Sequence, residues 1–578
     1  MSRFLRFISS KALDGQSDDL KEYAIALEVF DKDDSFDPRI DPVVRSEARR
    51  LRAKLAEYYE TADGDDKVLI ELPKGAYAPI FLERPSNGAA SERSRAIHPR
   101  YLVIALVASL TIAVVAWWLG RRPSPRPVSR SIAVLPFENL TADPANEYFA
   151  DGLTEEILNA LANAPGLKVV ARTSAFEFKG KHEDIRSIGK KLDAGLVLEG
   201  SVRKDGDRMR ITPQLINVVD GYHVWSAEYD RESKDLFAIQ REIATAIVGV
   251  LGGQPGHAPP QPLDAETYRL YLEGRYHFNK WNSAGMQKAI PLFEKVVERD
   301  PKYAPAYASL SGAYGLLAAF GGDASPAGQS KTKARRAALK AIELDPNSSD
   351  AWSSLAPHLA EDFDWPATEG AFRKALELNP NSSDAHAWYS ELYLTPMGRL
   401  DEALRESQAA QALDPISPYT LAGVGKRYYF LRQYDSAIAW LQKALDLEPR
   451  FSIAFGPMVH AYMLKGDRPG ARRFLESAKV LWPARGLALL SAELLAAEGN
   501  STEALQLLSD ASPQDSAGCQ VAGIYVALGK QIEAISWLDR AIESRSACFQ
   551  VIPVDPLFES LHANAGFAAL LRKMKLNH

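Results

Sequence analysis

The chain has 578 residues, which is too long for one hydrophobic core and predicts roughly three or four domains. Hydrophobic residues make up 46% and charged residues 25%, as in ordinary globular proteins, and the net charge is −6. This balance excludes chain-wide binding of nucleic acid, so any such activity must be local. The two cysteines, Cys519 and Cys548, are too few for a disulfide framework and lack metal-ligand spacing, so we expect two buried, small apolar residues.

The first 85 residues predict two short helices, a basic helix and a β-hairpin. Asp41 followed by Pro42 is typical of a helix start, and an apolar stripe then follows one face of the third helix. The stripe consists of Val44, Ala48, Leu51, Leu55 and Tyr58. Between Lys67 and Phe81, two β-type stretches flank a Pro-Lys-Gly turn, which predicts a hairpin.

A second, basic stripe lies beside the apolar one on the third helix. Arg45, Arg49 and Arg52 recur at spacings of four and three, and Arg50 and Lys54 extend the positive surface. One face of this helix can therefore pack on a core while the adjacent face offers guanidinium groups to phosphates and base edges. The alternative is a solvated, charged face of an ordinary amphipathic helix.

The stretch DPVVRSEARRLRAKL followed by IELPKGAYAPIF resembles the recognition helix and wing of response-regulator-type winged helices. The resemblance implies that the row of three arginines enters the major groove of duplex DNA and that Lys74, at the turn of the wing, contacts the backbone. Residues 1–83 hold 13 Lys and Arg against 18 Asp and Glu, a net of −5, so the basic stripe must act locally. The predicted DNA-binding residues are Arg45, Arg49, Arg50, Arg52, Lys54 and Lys74.

Residues 101–120, YLVIALVASLTIAVVAWWLG, contain no charged residue and are long enough to cross the hydrocarbon core of a bilayer. Aromatic residues stand at both ends, where amphipathic rings prefer the headgroup level. We therefore expect a single transmembrane helix with linkers at residues 86–100 and 121–130. Arginines are equally frequent on the two flanks, so the positive-inside rule does not decide the orientation.

Residues 131–251 alternate predicted strands and helices, which is typical of a layered α/β domain. The stretches SIAVLPFENLTADPANEYFADGLTEEI and GLVLEGSVRKDGDRMRITPQLIN resemble the TolB amino-terminal-like domain, a fold common in bacterial envelope proteins. Its acidic residues, isolated histidines and Thr-Ser pair form no recognisable catalytic arrangement, so we expect no active site, metal or cofactor. A Gly- and Pro-rich linker follows at residues 252–262.

Residues 263–578 carry an internal repeat. Prolines close predicted helices at spacings of 34, 35, 34 and 34 residues, the period of tetratricopeptide repeats. About seven or eight helix pairs result, and their stacking predicts an all-α solenoid with a concave groove for protein or peptide partners. The closing prolines are Pro346, Pro380, Pro415, Pro449 and Pro483.

Together these parts predict a multidomain protein with a winged helix-turn-helix at residues 1–85, one transmembrane helix, an α/β domain and an all-α repeat solenoid. The architecture resembles ToxR/CadC-type regulators. The resemblance implies a membrane-anchored transcription regulator of the bacterial inner membrane, with double-stranded DNA bound on the cytoplasmic side and a periplasmic sensor. It also implies contact with membrane lipid through the span, and homo-oligomers in the active state.

Two other interpretations differ in class. In one, the protein is an envelope repeat scaffold whose first domain contacts protein rather than DNA. In the other, the TolB-like and repeat parts resemble a module that also accompanies class III adenylate cyclases. No cyclase domain is present in this chain, so we expect no enzyme.

Overall fold

The computed structural model describes residues 2–33, 36–38, 41–61, 67–83, 130–141, 147–206, 208–232, 236–252, 263–319, 329–481, 484–511 and 517–576. The chain divides into two compact units, residues 1–122 and residues 123–578.

The first unit packs three helices against a two-stranded antiparallel hairpin. Asp41 precedes the third helix and its Oδ1 accepts a hydrogen bond from Val43 N at 3.0 Å, as the predicted helix start requires. The elements are α1 (Ser2–Leu13), α2 (Glu22–Phe30), α3 (Val43–Thr61), β1 (Val68–Glu71) and β2 (Ile80–Glu83). One core joins the helices to the hairpin, and its buried members are Phe4, Ile8, Leu20, Ile25, Ala26, Val29, Phe36, Val44, Ala48, Leu51 and Leu72.

The predicted transmembrane helix requires a correction. Residues 101–120 lie outside the described residues, and in the described part of the chain no helix is both long and apolar enough to cross a membrane. This finding overturns the expected single-pass fold class and, with it, the expected location in the bacterial inner membrane.

The second unit begins with a seven-stranded mixed sheet. Strand β3 lies between β5 and β6 and is parallel to both, and the long antiparallel hairpin of β6 and β7 extends the sheet towards β8 and β9. This hairpin turns at Asp205 and Gly206, as predicted, and Gly206 has a φ of +55° that favours glycine. The strands are β3 (Ser131–Val134), β4 (Glu138–Asn139), β5 (Lys168–Val169), β6 (Leu196–Asp205), β7 (Arg208–Asn217), β8 (His223–Ser226) and β9 (Tyr229–Glu232).

Helices cover both faces of the central strands. Along β3, Ile132 and Val134 pack into one apolar cluster while Ala133 joins a second cluster, because successive side chains of a strand point to opposite faces. The helices of this domain are α4 (Glu147–Ala162), α5 (Arg172–Phe176), α6 (Ile185–Lys191) and α7 (Leu236–Val250). The first cluster includes residues of α4 and α7, and the second includes Ile188 of α6.

Eight antiparallel helix pairs and a last helix make up the described part of the repeat array. The pairs are α8 (Ala265–Phe278) and α9 (Ser283–Arg299), α10 (Ala304–Ala319) and α11 (Gln329–Leu344), α12 (Ser349–Glu361) and α13 (Trp365–Leu378), α14 (Ser383–Tyr389) and α15 (Leu400–Leu413), α16 (Pro418–Phe430) and α17 (Tyr434–Leu447), α18 (Phe455–Lys465) and α19 (Arg468–Ala478), α20 (Ala484–Ala497) and α21 (Ser501–Ala511), and α22 (Gly518–Ala527) and α23 (Gln531–Glu543), followed by α24 (Ala565–Lys573). Helices of a pair approach closely at small residues; a Cβ on Gly425 would lie only 2.8 Å from Leu441 Cγ.

The sheet and the first repeats share one continuous apolar core. Helix α4 packs on α8 so tightly that a Cβ on Gly152 would lie 2.8 Å from Leu272 Cδ2. In the loop before α14, Asn381 Nδ2 donates hydrogen bonds to the carbonyl oxygens of Ala162 and Leu167, both at 2.8 Å. These contacts attach the end of α4 to a repeat that lies more than 200 residues further along the chain.

A second polar contact joins the sheet domain to the loop before α16. Asp414 Oδ1 accepts hydrogen bonds from Ser174 N at 2.9 Å and from Ser174 Oγ at 2.5 Å. Ser174 Oγ in turn accepts from Ile416 N at 3.0 Å, and both Ser174 and Asp414 are buried. The Thr-Ser pair after β5 thus has a docking role.

The final segment, residues 545–576, returns to the middle of the array, and we call it the return segment. Trp365 Nε1 donates a hydrogen bond to Met574 O at 2.8 Å, and Tyr429 Oη donates to Asp555 Oδ1 at 2.6 Å. Phe549 packs edge-on against Phe363 with ring centroids 5.5 Å apart. The array therefore closes on itself, whereas the sequence predicts a solenoid of stacked helix pairs with a concave groove.

The expectation for the cysteines is also wrong. Cys519 of α22 and Cys548 at the start of the return segment form a disulfide, with Cα atoms 6.1 Å apart. The two residues form a covalent link and are not free thiols, and Cys519 also packs against an apolar core. Two cysteines 29 residues apart make no framework, but one bond is enough to attach the return segment to the last helix pair.

Candidate nucleic-acid interface

Helix α3 turns its apolar stripe into the core of the first unit. Val44, Ala48 and Leu51 are buried, and Leu55 is half-buried. Tyr58, which the sequence places in the same stripe, is 53% exposed, because the core ends before the last turn of the helix. The orientation of the remaining side chains follows from this anchoring.

Arg52 contacts the hairpin instead of the outer surface. Its Nε donates to Leu72 O at 3.0 Å, and its Nη2 donates to Pro73 O and to Ala76 O, both at 2.9 Å. These carbonyl groups belong to the turn between β1 and β2. The sequence predicts that Arg52 enters the major groove, but in the structure this residue is half-buried and its guanidinium holds the hairpin against α3.

Arg45 is also engaged within the unit. Its Nε donates to Glu22 Oε1 at 2.9 Å, and its Nη2 donates to Pro38 O, while 53% of its side chain is exposed. Burial raises the pKa of Tyr77, and the neighbouring Glu22 carboxylate raises it further. Glu22 of α2 and Tyr77 after the turn are partners that the sequence analysis missed, since nothing in their spacing links them to α3.

Arg49, Arg50 and Lys54 are exposed on the surface of α3. Arg50 lies 3.5 Å from Glu47 one turn away, and 68% of its side chain is accessible to solvent. Arg49 and Lys54 have no hydrogen bond or ion pair with any other residue that the structure describes. The small residues Ser46 and Ala53 are exposed on the same helix, and at 100° per residue they lie between Arg49 and Arg50 on its outermost side.

Lys74 occupies the turn of the hairpin and is exposed. The following Gly75 has a φ of +86°, a left-handed conformation that a side chain would strain, which explains the glycine at this turn. Arg52 joins this turn to α3. The exposed basic side chains of the helix and of the hairpin therefore belong to one unit with a common core. Exposed cations of this kind can contact phosphate oxygens without first breaking a buried ion pair.

Glu155, in the middle of α4, has partners within the protein. Burial raises the pKa of Glu155, but the charges of Arg275 and Arg172 outweigh it and hold the pKa below the ordinary value. Arg275 pairs with Glu155, and Asn279 Nδ2 donates to Glu155 Oε2 at 2.7 Å. Burial and the charge of Glu155 raise the pKa of the neighbouring Glu156 to about 7. This cluster joins the sheet domain to α8, and within the described residues no group of three or more His, Cys, Asp or Glu is placed to hold a metal ion.

Family comparisons identify the parts of the second unit. Residues 128–246 match the model of the HilA/YgeH-like transcriptional regulator, second domain, and residues 371–405 and 423–451 match tetratricopeptide repeats. The chain thus contains a HilA/YgeH-like regulator domain, and the predicted repeats are confirmed. The TolB amino-terminal-like identity of residues 131–251 stays a prediction, as do the winged helix and the likeness to ToxR/CadC-type regulators.

Curated relatives match parts of the chain. The putative adenylate cyclase 3 of Rhizobium meliloti is 40% identical over 200 residues, which cover 33% of this chain and 34% of that protein. The transcriptional regulator HilA of Salmonella typhimurium is 25% identical over 325 residues, which cover 55% of this chain and 56% of HilA. The matches therefore span about a third and about half of these relatives.

A solved structure also matches part of the chain. The human IFIT1 dimer with m7Gppp-AAAA has 16% sequence identity and a TM-score of 0.38, and the match covers 53% of this chain and 77% of that one.

Proposed function

We propose that the protein is a transcription regulator that binds double-stranded DNA through its first unit and protein or peptide partners through its repeats. The observation that carries the proposal is the exposed basic surface of α3, with Arg49, Arg50 and Lys54, in a unit that also exposes Lys74 at a hairpin turn. The regulator-type domain at residues 128–246 supports the same function.

In this proposal the first unit is a winged helix, α3 is the recognition helix and the β1–β2 hairpin is the wing. The order of three helices and a hairpin supports this assignment. Small residues between Arg49 and Arg50 would let the backbone of α3 approach the floor of the major groove. Arg52 would set the position of the wing, and Lys74 would contact the phosphate backbone.

A salt-titrated binding assay on the full chain tests the proposal. Arg49→Ala combined with Arg50→Ala should weaken binding to a specific duplex by at least tenfold, and each phosphate that the variant no longer binds should reduce the salt slope by about one. Arg473→Ala is the matched control, because it removes an exposed arginine from α19 without touching α3. Unchanged affinity in the double variant, or an equal loss of affinity in the control, would contradict DNA recognition by α3.

Two chains bound to adjacent half-sites would gain affinity through their effective concentration, so we include homo-oligomerisation on DNA in the proposal. Binding to a duplex with two half-sites should then be cooperative, whereas a single half-site should bind one chain weakly. The proposal assigns no catalytic step and no cofactor to the chain.

A protein-interaction scaffold is the second candidate. It is favoured by the internal contacts of Arg45 and Arg52 and by the acidic balance of residues 1–83, both of which reduce the positive charge available to DNA. A scaffold would retain its protein partners in the Arg49 and Arg50 double variant and would show no salt-dependent retention of DNA.

A further inference from the structure

The return segment and three repeat helices enclose a cavity. The cavity has a volume of about 310 Å³ and is bounded by α16, α18, α22 and the return segment. Much of its lining is aromatic or aliphatic, including Tyr429, Phe430, Pro457 and Phe558. A cavity of this size is large enough to hold several water molecules or one small organic ligand.

The cations of the lining already have carboxylate partners. Lys426 pairs with Glu391. His460 Nε2 lies 2.9 Å from Glu493 Oε2, and this pair is almost entirely buried. A negatively charged ligand would therefore have to compete with two carboxylates that the protein supplies itself.

Asp555 is the carboxylate of the lining that forms no ion pair with any of the described residues. Only 8% of the residue is exposed. Its Oδ1 accepts hydrogen bonds from Tyr429 Oη at 2.6 Å and from Leu557 N at 3.0 Å. Its Oδ2 has no hydrogen-bond partner in the described part of the chain. A buried carboxylate without a directly paired counter-charge is costly, and a bound cation would remove that cost.

We propose that this cavity binds an organic ammonium ligand with an apolar body. The ammonium group would lie against Asp555 Oδ2, and the body would pack on the rings of Tyr429, Phe430 and Phe558. Ring faces attract cations and also bury apolar groups, so an aromatic lining around one carboxylate suits an amine better than a neutral or acidic molecule. The proposal does not rest on DNA binding by the first unit.

Asp555 also has a structural role, because Oδ1 caps the turn at Pro556–Leu561. That role uses one oxygen and accepts neutral donors, so it requires neither the second oxygen nor the negative charge. The charge and the cap can therefore be separated by substitution. Asp555→Asn keeps an acceptor oxygen for Tyr429 Oη and Leu557 N while it removes the charge.

Calorimetric titration of the full chain with three probes that share one apolar body tests the charge preference. Phenethylamine, phenethyl alcohol and hydrocinnamate share a phenyl ring and an ethylene chain but differ in the charge of the head group. Phenethylamine should bind at least tenfold more tightly than the other two. Equal binding of all three probes, or binding of none, would overturn the proposal.

Variants locate the binding. Asp555→Asn should weaken phenethylamine binding at least tenfold while its thermal unfolding stays cooperative. Gly456→Leu should fill the cavity and abolish binding, since a Cβ there has only His460 Cε1 within 4 Å, at 3.9 Å. Gly370→Leu is the matched control, because Gly370 lies in helix α13 with open space around it. Phenethylamine binding that survives both cavity variants would place the ligand elsewhere and reject this site.

Discussion

Arg49 and Arg52 lie three residues apart on α3 but meet different surroundings. Arg49 faces solvent, whereas Arg52 donates to carbonyl groups of the hairpin turn. Spacing alone places both in one basic row, because a helical pattern indicates the side of the helix but not what packs against that side. The expected DNA-contacting surface therefore moves towards the outermost face, around Arg49 and Arg50.

Arg52→Ala should loosen the hairpin. The substitution leaves the carbonyl groups of Leu72, Pro73 and Ala76 without their charged donor, at a cost of about 2 kcal/mol. Hydrogen exchange of the β1 and β2 amides in the full chain should become about 30-fold faster, since about 1.4 kcal/mol corresponds to a factor of ten. Arg49→Ala should leave this exchange unchanged, and a similar acceleration in both variants would contradict the assigned role of Arg52.

Glu156 should make the second unit less stable as the pH rises. Burial and the charge of Glu155 raise its pKa to about 7, above the value of an unfolded glutamate, so the folded state binds more protons between these values. Glu156→Gln should therefore increase the free energy of unfolding at about pH 8 by roughly 2 kcal/mol more than at about pH 5. Denaturant titrations at both pH values measure this difference, and an effect that does not change with pH would show that Glu156 titrates normally.

Glu155→Gln should lower the free energy of unfolding, whereas Glu156→Gln should raise it. The charges of Arg275 and Arg172 lower the pKa of Glu155 despite its burial, so its ionised form stabilises the fold. The variant should lose stability at neutral pH, because Arg275 would keep its charge without a counter-charge. Denaturant titration at pH 7 measures this loss, and a variant as stable as the parent chain would contradict the assigned ion pair.

Among the elements, helix α16 contains two glycines that differ in the space available for a side chain. Gly425 faces Leu441 of α17, and a Cβ there would lie 2.8 Å from Leu441 Cγ. A Cβ on Gly423 would have no neighbouring atom within 4 Å, so this position has room for a side chain. The same substitution therefore tests packing at one site and helix propensity at the other.

Gly425→Ala should lower the free energy of unfolding by about 1–3 kcal/mol, because the helices of the pair must separate. Gly423→Ala should leave it unchanged or raise it by up to about 1 kcal/mol, because alanine loses less conformational freedom than glycine in a helix. Denaturant unfolding of the two variants measures both effects. Equal destabilisation would argue against close helix contact at Gly425.

The repeat helices could be predicted because their signals are local. Closing prolines, small residues at helix contacts and apolar spacing all act within one 34-residue period. The stretch PNSSD shows what local signals cannot predict. It occurs at residues 346–350 and again at 380–384. Asn381 of the second copy donates to Ala162 O and Leu167 O, whereas Asn347 of the first is exposed. Identical local sequences have different partners, because the partner comes from a distant part of the chain.

Partners from distant parts of the chain also explain the other features that the sequence did not predict. The return segment has no repeat period, and its contacts with Trp365 and Tyr429 span 209 and 126 residues. The disulfide depends on this return, so cysteine number alone does not predict it. At the candidate interface, the basic residues and the hairpin were predictable from the sequence. The hydrogen bonds of Arg52 to the hairpin turn were not, because they depend on where the turn lies in the folded unit.

At the scale of the whole molecule, the sheet domain and the repeats should unfold together. They share an apolar core, the half-buried hydrogen bonds of Asn381 and the buried hydrogen bonds of Ser174. Asn381→Ala leaves two carbonyl groups unpaired and should cost about 2 kcal/mol. Hydrogen exchange should accelerate in both α4 and α14, while amides of the first unit keep their rates.

Asn347→Ala provides the matched control, one repeat earlier in the same loop position. It should leave exchange in both regions unchanged, because its side chain has no hydrogen-bond partner among the described residues. Acceleration confined to α14 in the Asn381 variant would show that the sheet domain and the repeats unfold independently.

The return of the last segment to the third and fifth helix pairs has a consequence for how such a chain can evolve. A linear stack can gain or lose a unit by duplication or deletion, since each unit touches only its neighbours. Here one extra unit between α17 and α22 would carry Met574 away from Trp365 and Asp555 away from Tyr429. The copy number of this array is therefore constrained by geometry, and its relatives should differ in loop length far more often than in number of units.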